Sequence, residues 1–121
     1  MGKVSFKGID EDHKVAERYS DGTGPVLRSD KSEIARVHFA AGDGAEQHHH
    51  PEEQIVFVEE GRIQVTLGEG DAAETYVVQP GQASFHPSNV AHRVEALEDS
   101  WVVSFKNVID GSVYGETGRL A

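Results

Sequence analysis

An all-β barrel is the architecture this sequence predicts, on three observations. Its apolar residues fall in short runs of about five, each closed by Gly, Pro, Asn or Asp. The clearest run, 33–40, alternates at period two, with Ala35, Val37 and Phe39 on one face and Ile34, Arg36 and His38 on the other. No stretch keeps a helical period beyond one turn, and thirteen glycines and four prolines punctuate the 121 residues.

Taken in order, residues 1–14 alternate weakly at Val4 and Phe6 before a polar patch, which suits an N-terminal arm or edge strand. Residues 15–19 alternate and read as a strand, ended by the Gly-rich turn 20–25. A short strand at 25–28 and the loop SDKS at 29–32 lead into strand 33–40, and 41–44 turns the chain again. Further strands are expected at 54–58, 62–67, 74–78, 83–86, 92–96 and 101–108, with Glu69-Gly70-Asp71 as a hairpin turn. Residues 110–121 carry three glycines and no period, and read as a tail. No repeat or linker divides the chain, so 1–121 is expected to form a single domain with one core.

Composition bounds the partners. The formal charge is −10, from 21 acidic and 11 basic side chains, and such a surface repels phosphate backbones and anionic lipid. Nucleic acid and membranes are therefore not expected as partners. The acids sit at turns and strand edges, where they read as a solubilising shell; an anionic substrate would have to be drawn in locally, by a bound metal. There is no cysteine, so disulfides and thiolate ligands are excluded. No apolar stretch reaches bilayer length and the first residues lack the apolar core of a secretory signal, so a soluble, cytoplasmic protein is expected.

The chemistry lies in 42–61, GDGAEQHHHPEEQIVFVEEG. His48 and His50 are two apart, so on an extended strand both rings share a face, with Cα atoms roughly 6.5–7 Å apart, within reach of one ion. Pro51 breaks the ladder because it has no N–H to donate. Gln54 opens the next apolar run, so two imidazoles and an amide oxygen stand at neighbouring strand ends. The fourth candidate ligand, His92, comes from 80–92, PGQASFHPSNVAH, which repeats the grammar of turn, short strand, turn and histidine.

These spacings resemble the two signature motifs of the cupin superfamily. The first motif is represented by Gly42, His48, His50, Gln54 and Gly61, and the second by Gly81, Pro87, Asn89 and His92. Gln54 stands where the motif usually has glutamate, and Asn89 replaces an internal glycine, a change that left-handed backbone tolerates. The resemblance implies a cupin-type double-stranded β-helix, or jelly-roll, barrel holding one divalent transition metal on His48, His50, Gln54 and His92. Zinc, nickel, iron, manganese and cobalt all suit such donors. The segment HxHPxEQ is most similar to small cupins that open the ring of unsaturated uronates, and the similarity extends to Val37-His38-Phe39. That group carries an acid and an arginine where Val103 and Ile109 align here, so its acid–base pair is not implied. Polyketide-cyclase-like and bacilysin-pathway-like cupins have similar ligand sets.

Parity then proposes a pocket wall. With Gln54 and His92 inward, Val56 and Val94 follow, and Val103, Phe105, Phe85 and His86 are the remaining candidates for a small, dry substrate pocket. His49 has outward parity, His38 shares the face of Arg36 away from the metal, and His13 lies in a polar segment. Three imidazoles and an amide leave the charge of a divalent ion uncompensated, which strengthens Lewis acidity and disfavours oxidation of the ion. The expected function is a metal-dependent isomerase, lyase or cyclase polarising a carbonyl or hydroxyl of a small oxygen-rich metabolite. A metal-dependent dioxygenase and a non-catalytic, sugar-type binding module are the alternatives. Outward Ile55 and Phe57 suit a homodimer that pairs through its sheets.

Overall fold

Strand-forming alternation and frequent turns produce nine strands and a single 3₁₀ turn, Gly70–Ala72, among the described residues of this computed structural model. The structure describes residues 19–109 together with Lys3, Ser5 and Val15. Most of the expected arm 1–14 and of the strand 15–19, and the tail 110–121, lie outside the described residues.

The strands are β1 (Val26–Arg28), β2 (Ser32–Phe39), β3 (Gly44–His48), β4 (Gln54–Glu60), β5 (Ile63–Leu67), β6 (Glu74–Val78), β7 (Ala83–His86), β8 (His92–Ala96) and β9 (Ser100–Asn107). They form two antiparallel sheets, ordered β1-β2-β9-β4-β7 and β3-β8-β5-β6. Apart from the pairs β1–β2 and β5–β6, sequential neighbours are split between the sheets, as in a jelly roll, and the two inner faces enclose one core. On the larger sheet the core takes Ala35, Val37 and Phe39 of β2, Val56 and Val58 of β4 and Val102 of β9. On the smaller it takes Ala45, Ile63, Val65, Val78, Val94 and Ala96.

Register corrects the inward wall proposed for the last strand. β9 lies between β2 and β4, pairing Ala35 and Val56 with Ser104, Val37 and Val58 with Val102, and Glu33 and Gln54 with Lys106. Directly opposed residues share a face, so both neighbours turn Val102, Ser104 and Lys106 inward. Val103 and Phe105 point to the outer face, and Phe105 is 44% exposed. Phe85, paired with Ile55, is also outward and 50% exposed. The bulky side chains are outside because the inner row formed by Ala35, Ser104, Val56 and Ser84 is kept small, which leaves the space above it open.

Candidate metal centre

His48 faces the interior because of one extra residue. Ala45 pairs with Val94 and His48 with His92, so β3 has two residues between these pairs where β8 has one. Strict alternation would put Ala45 and His48 on opposite faces; the bulge turns both inward. The expectation that His48 and His50 share one extended strand is corrected here, since β3 ends at His48. His50 sits in the following loop, 1% exposed, with its carbonyl accepting the Asn89 N–H at 2.8 Å. The Ser88 hydroxyl donates to the Pro51 carbonyl at 2.6 Å, so the loops of the two motifs clasp one another. Asn89 adopts φ 59°, the left-handed backbone expected of it.

The three imidazoles share one arrangement. The Nδ1–H of His48 donates to the Glu46 carbonyl (2.6 Å), that of His50 to the Glu52 carbonyl (2.9 Å) and that of His92 to the Val90 carbonyl (3.0 Å). Each bond fixes the tautomer that leaves Nε2 as a lone pair. Ligand atoms of the three rings lie within 4.8 Å of one another, and the buried Nε2 atoms of His50 and His92 have no hydrogen-bond partner in the protein. Two nitrogens about 2.1 Å from a shared ion are at most about 4.2 Å apart, so the cluster tightens by a fraction of an ångström to reach that geometry. Two buried, unsatisfied nitrogens beside a third imidazole are costly in an empty protein and are satisfied by a cation. The donor set fits a divalent transition metal.

Burial holds these rings neutral, as metal ligation requires. It is the largest cause in every case. The pKa of His48 falls to about 3 despite the Glu46 hydrogen bond, and that of His92 to about 4 despite the bond to Val90. His50 is lowered by burial and then by the charge of Lys106, and His86 by burial and then by His92, to about 3.

Gln54 opens β4 on the cavity wall. Its Nε2–H donates to Ser104 Oγ at 2.8 Å, which aims the amide oxygen at the imidazoles, 3.4 Å from His86 Nδ1. His86, 1% exposed, lies beside the cluster rather than in it: its Nε2 accepts from Ser84 Oγ at 2.8 Å, and Ser84 accepts from the Tyr76 hydroxyl at 2.6 Å. Tyr19 stacks on His48 with ring centroids 3.8 Å apart. The cavity is about 60 Å³, and Val56, Val94, Val102 and Val37 supply its apolar wall. His49 is exposed, and His38 packs against Trp101 on the outer face, away from the cluster.

Three acid–base side chains were not singled out from the sequence. Glu52 is 4% exposed, with a carboxylate oxygen 3.8 Å from His50 Nδ1. Glu33 and Lys106 line the cavity and meet at 3.6 Å. A signal existed for Glu33, which shares the parity of Ala35, Val37 and Phe39; Lys106 was hidden by the mistaken parity of β9.

Residues 35–109 match the family model of the cupin domain. Among solved structures, an RmlC-like cupin from Shewanella frigidimarina aligns with TM-score 0.72 at 17% identity, over 92% of this chain and 95% of its own. KdgF from Halomonas sp. aligns with TM-score 0.66 at 26% identity, over 86% and 94%. An oxalate oxidase in complex with the substrate analogue glycolate aligns with TM-score 0.60 at 23% identity, over 69% of this chain and 45% of its own. No curated protein sequence matches the chain.

Proposed function

The chain belongs to the cupin domain family, and on that premise we propose that it holds one divalent transition metal and acts on a small oxygen-rich metabolite as an isomerase, lyase or cyclase. The ligands in this reading are His48, His50, Gln54 and His92. The observation that carries it is the convergence of three neutral imidazoles, each committed through Nδ1 to a backbone carbonyl and each presenting Nε2. When bound, zinc, nickel, iron, manganese or cobalt would supply Lewis acidity toward a carbonyl or hydroxyl oxygen. The protein's part is to orient Gln54 through Ser104, to hold His86 through Ser84, and to exclude water with its valine wall. Four neutral donors support non-redox chemistry. A dioxygenase is the second reading, supported by the buried Glu52 carboxylate near His50, which offsets part of the ion's charge.

Metal analysis of protein purified without tag or added metal tests the proposal, with roughly one ion per chain as the expected result. His50→Ala should lose that ion while its circular dichroism stays that of the parent; a variant that keeps its metal sinks the ligand assignment. Oxygen consumption by the Fe(II)-loaded protein would favour the second reading. Saturable sugar binding without turnover would favour a binding module.

We also propose that the protein is a cytoplasmic homodimer. Its lack of cysteine suits a reducing compartment, and among the described residues no helix is long and apolar enough to cross a membrane. Exposed Ile55, Phe57, Phe85 and Phe105 form one apolar area on the outer face of the larger sheet. In a chain of charge −10, an area without acids is where two copies can approach most closely.

A further inference from the structure

The inner face of the larger sheet carries one polar row, set by register: Glu33 on β2, Lys106 on β9, Gln54 on β4 and His86 on β7. The next rows inward are small or apolar. Lys106 is the unexpected member. Its side chain is 10% exposed and that of Glu33 5%, yet Nζ lies 3.6 Å from the Glu33 carboxylate, beyond hydrogen-bond length. Among the described residues no hydrogen bond satisfies the ammonium, which has three donors. Lys106 is part-buried, so its ammonium is left to solvent or to a ligand that enters the cavity to complete its shell. Both side chains line the metal-centre cavity, and Lys106 is the cross-strand neighbour of Gln54.

We propose that Lys106, held in place by Glu33, is the anion-binding element of this site and takes the carboxylate of a small hydroxy- or keto-acid whose other oxygen reaches the histidine cluster. The inference rests on the metal-site reading above and adds a substrate class to it. Glu33 and Lys106 cancel in charge, the four ligands are neutral and Glu52 offsets one unit, so a bound divalent ion still leaves a local excess of positive charge that a monoanion reduces. This local field is what allows an anion into a protein whose surface is strongly acidic. A cavity of about 60 Å³ has room for a small carboxylate of this kind.

Glycolate, with neutral ethylene glycol as control, is the probe. Calorimetric titration of the zinc-loaded protein should show glycolate bound about 10- to 100-fold more weakly by Lys106→Met than by the parent, the range expected for a lost charge-assisted contact. Zinc content and the response to ethylene glycol should stay the same. Glu33→Gln keeps the ammonium and removes its competing carboxylate, so it should bind glycolate more tightly. Equal glycolate affinity in parent and Lys106→Met, or no gain in Glu33→Gln, would reduce the pair to a strand-to-strand staple and overturn the proposal. The same titrations on metal-free protein separate the two readings. Failure to take up zinc sinks the metal site, whereas the Lys106 difference is still measured there and, if absent, sinks the anion site by itself.

Discussion

Each of the three clustered imidazoles has one nitrogen on a backbone carbonyl and the other toward the cavity, so the orientation of the candidate site is built into the main chain. Gln54 differs, because its amide N–H is oriented by a side chain, Ser104, and not by the main chain. Ser104→Ala should therefore free the amide and lower metal affinity about 10- to 100-fold, as loss of outer contacts does, with stability little changed. Competition titration against a zinc chelator measures this; an unchanged affinity would mean that Gln54 is not a ligand. The candidate ligands were legible in the sequence because their spacing reports chemistry directly. Glu33 left a trace in the parity of β2, but Lys106 did not, since a charged residue in a strand resembles a solvated one until its neighbours across the sheet are known, and Glu52 lies in a loop with no period to place it.

At the level of elements, the site depends on where strands stop alternating. The β3 bulge reverses parity between Ala45 and His48, and a second irregularity falls between Val58 and Glu60 on β4, just before Gly61. Gly61 has φ 85°, and a Cβ there would collide with the Asp99 carbonyl and Ser100. Gly61→Ala should cost about 1–3 kcal/mol, the range for a non-glycine residue forced into such backbone. Urea unfolding reads it directly, and an unchanged midpoint would show that the β4–β5 turn has room to adapt. Strand positions were legible to within a residue or two, as with 83–86 and 92–96, because turn residues mark them. The inward face of β9 was not: its own pattern, Trp101, Val103 and Phe105 against Val102 and Ser104, favours the wrong side. The pairing with β2 and β4 overrides it.

For the whole molecule, burial of four imidazoles makes stability depend on pH. The folded values of His48, His86 and His92 are about 3, 3 and 4, and that of His50 is also lowered, against 6.5 in an unfolded chain. Below about pH 6.5 the unfolded chain binds protons that the folded one refuses, so this contribution falls as pH drops toward 4 and is flat above 7. Metal-free protein should show a lower urea midpoint at pH 5 than at pH 7.5, a window in which ordinary carboxylates barely titrate. Equal midpoints would mean that the rings protonate in place. The outer face makes a separate prediction. Sedimentation equilibrium should return twice the 13.2 kDa chain mass, and Phe85→Glu should shift it toward one. A parent protein already at one chain mass removes the dimer.

Local order alone determined much about this protein: an all-β barrel, the places where the chain turns, and the four candidate ligands. Turn chemistry, side-chain alternation and ligand spacing are all properties of residues close together in the chain. Which face of β9 lines the cavity, how His48 is turned inward, and why a lysine and two glutamates lie buried beside the histidines were decided only in three dimensions. Those outcomes depend on register between strands dozens of residues apart, where a single extra residue, or a neighbour on each side, outweighs a strand's own hydrophobic preference.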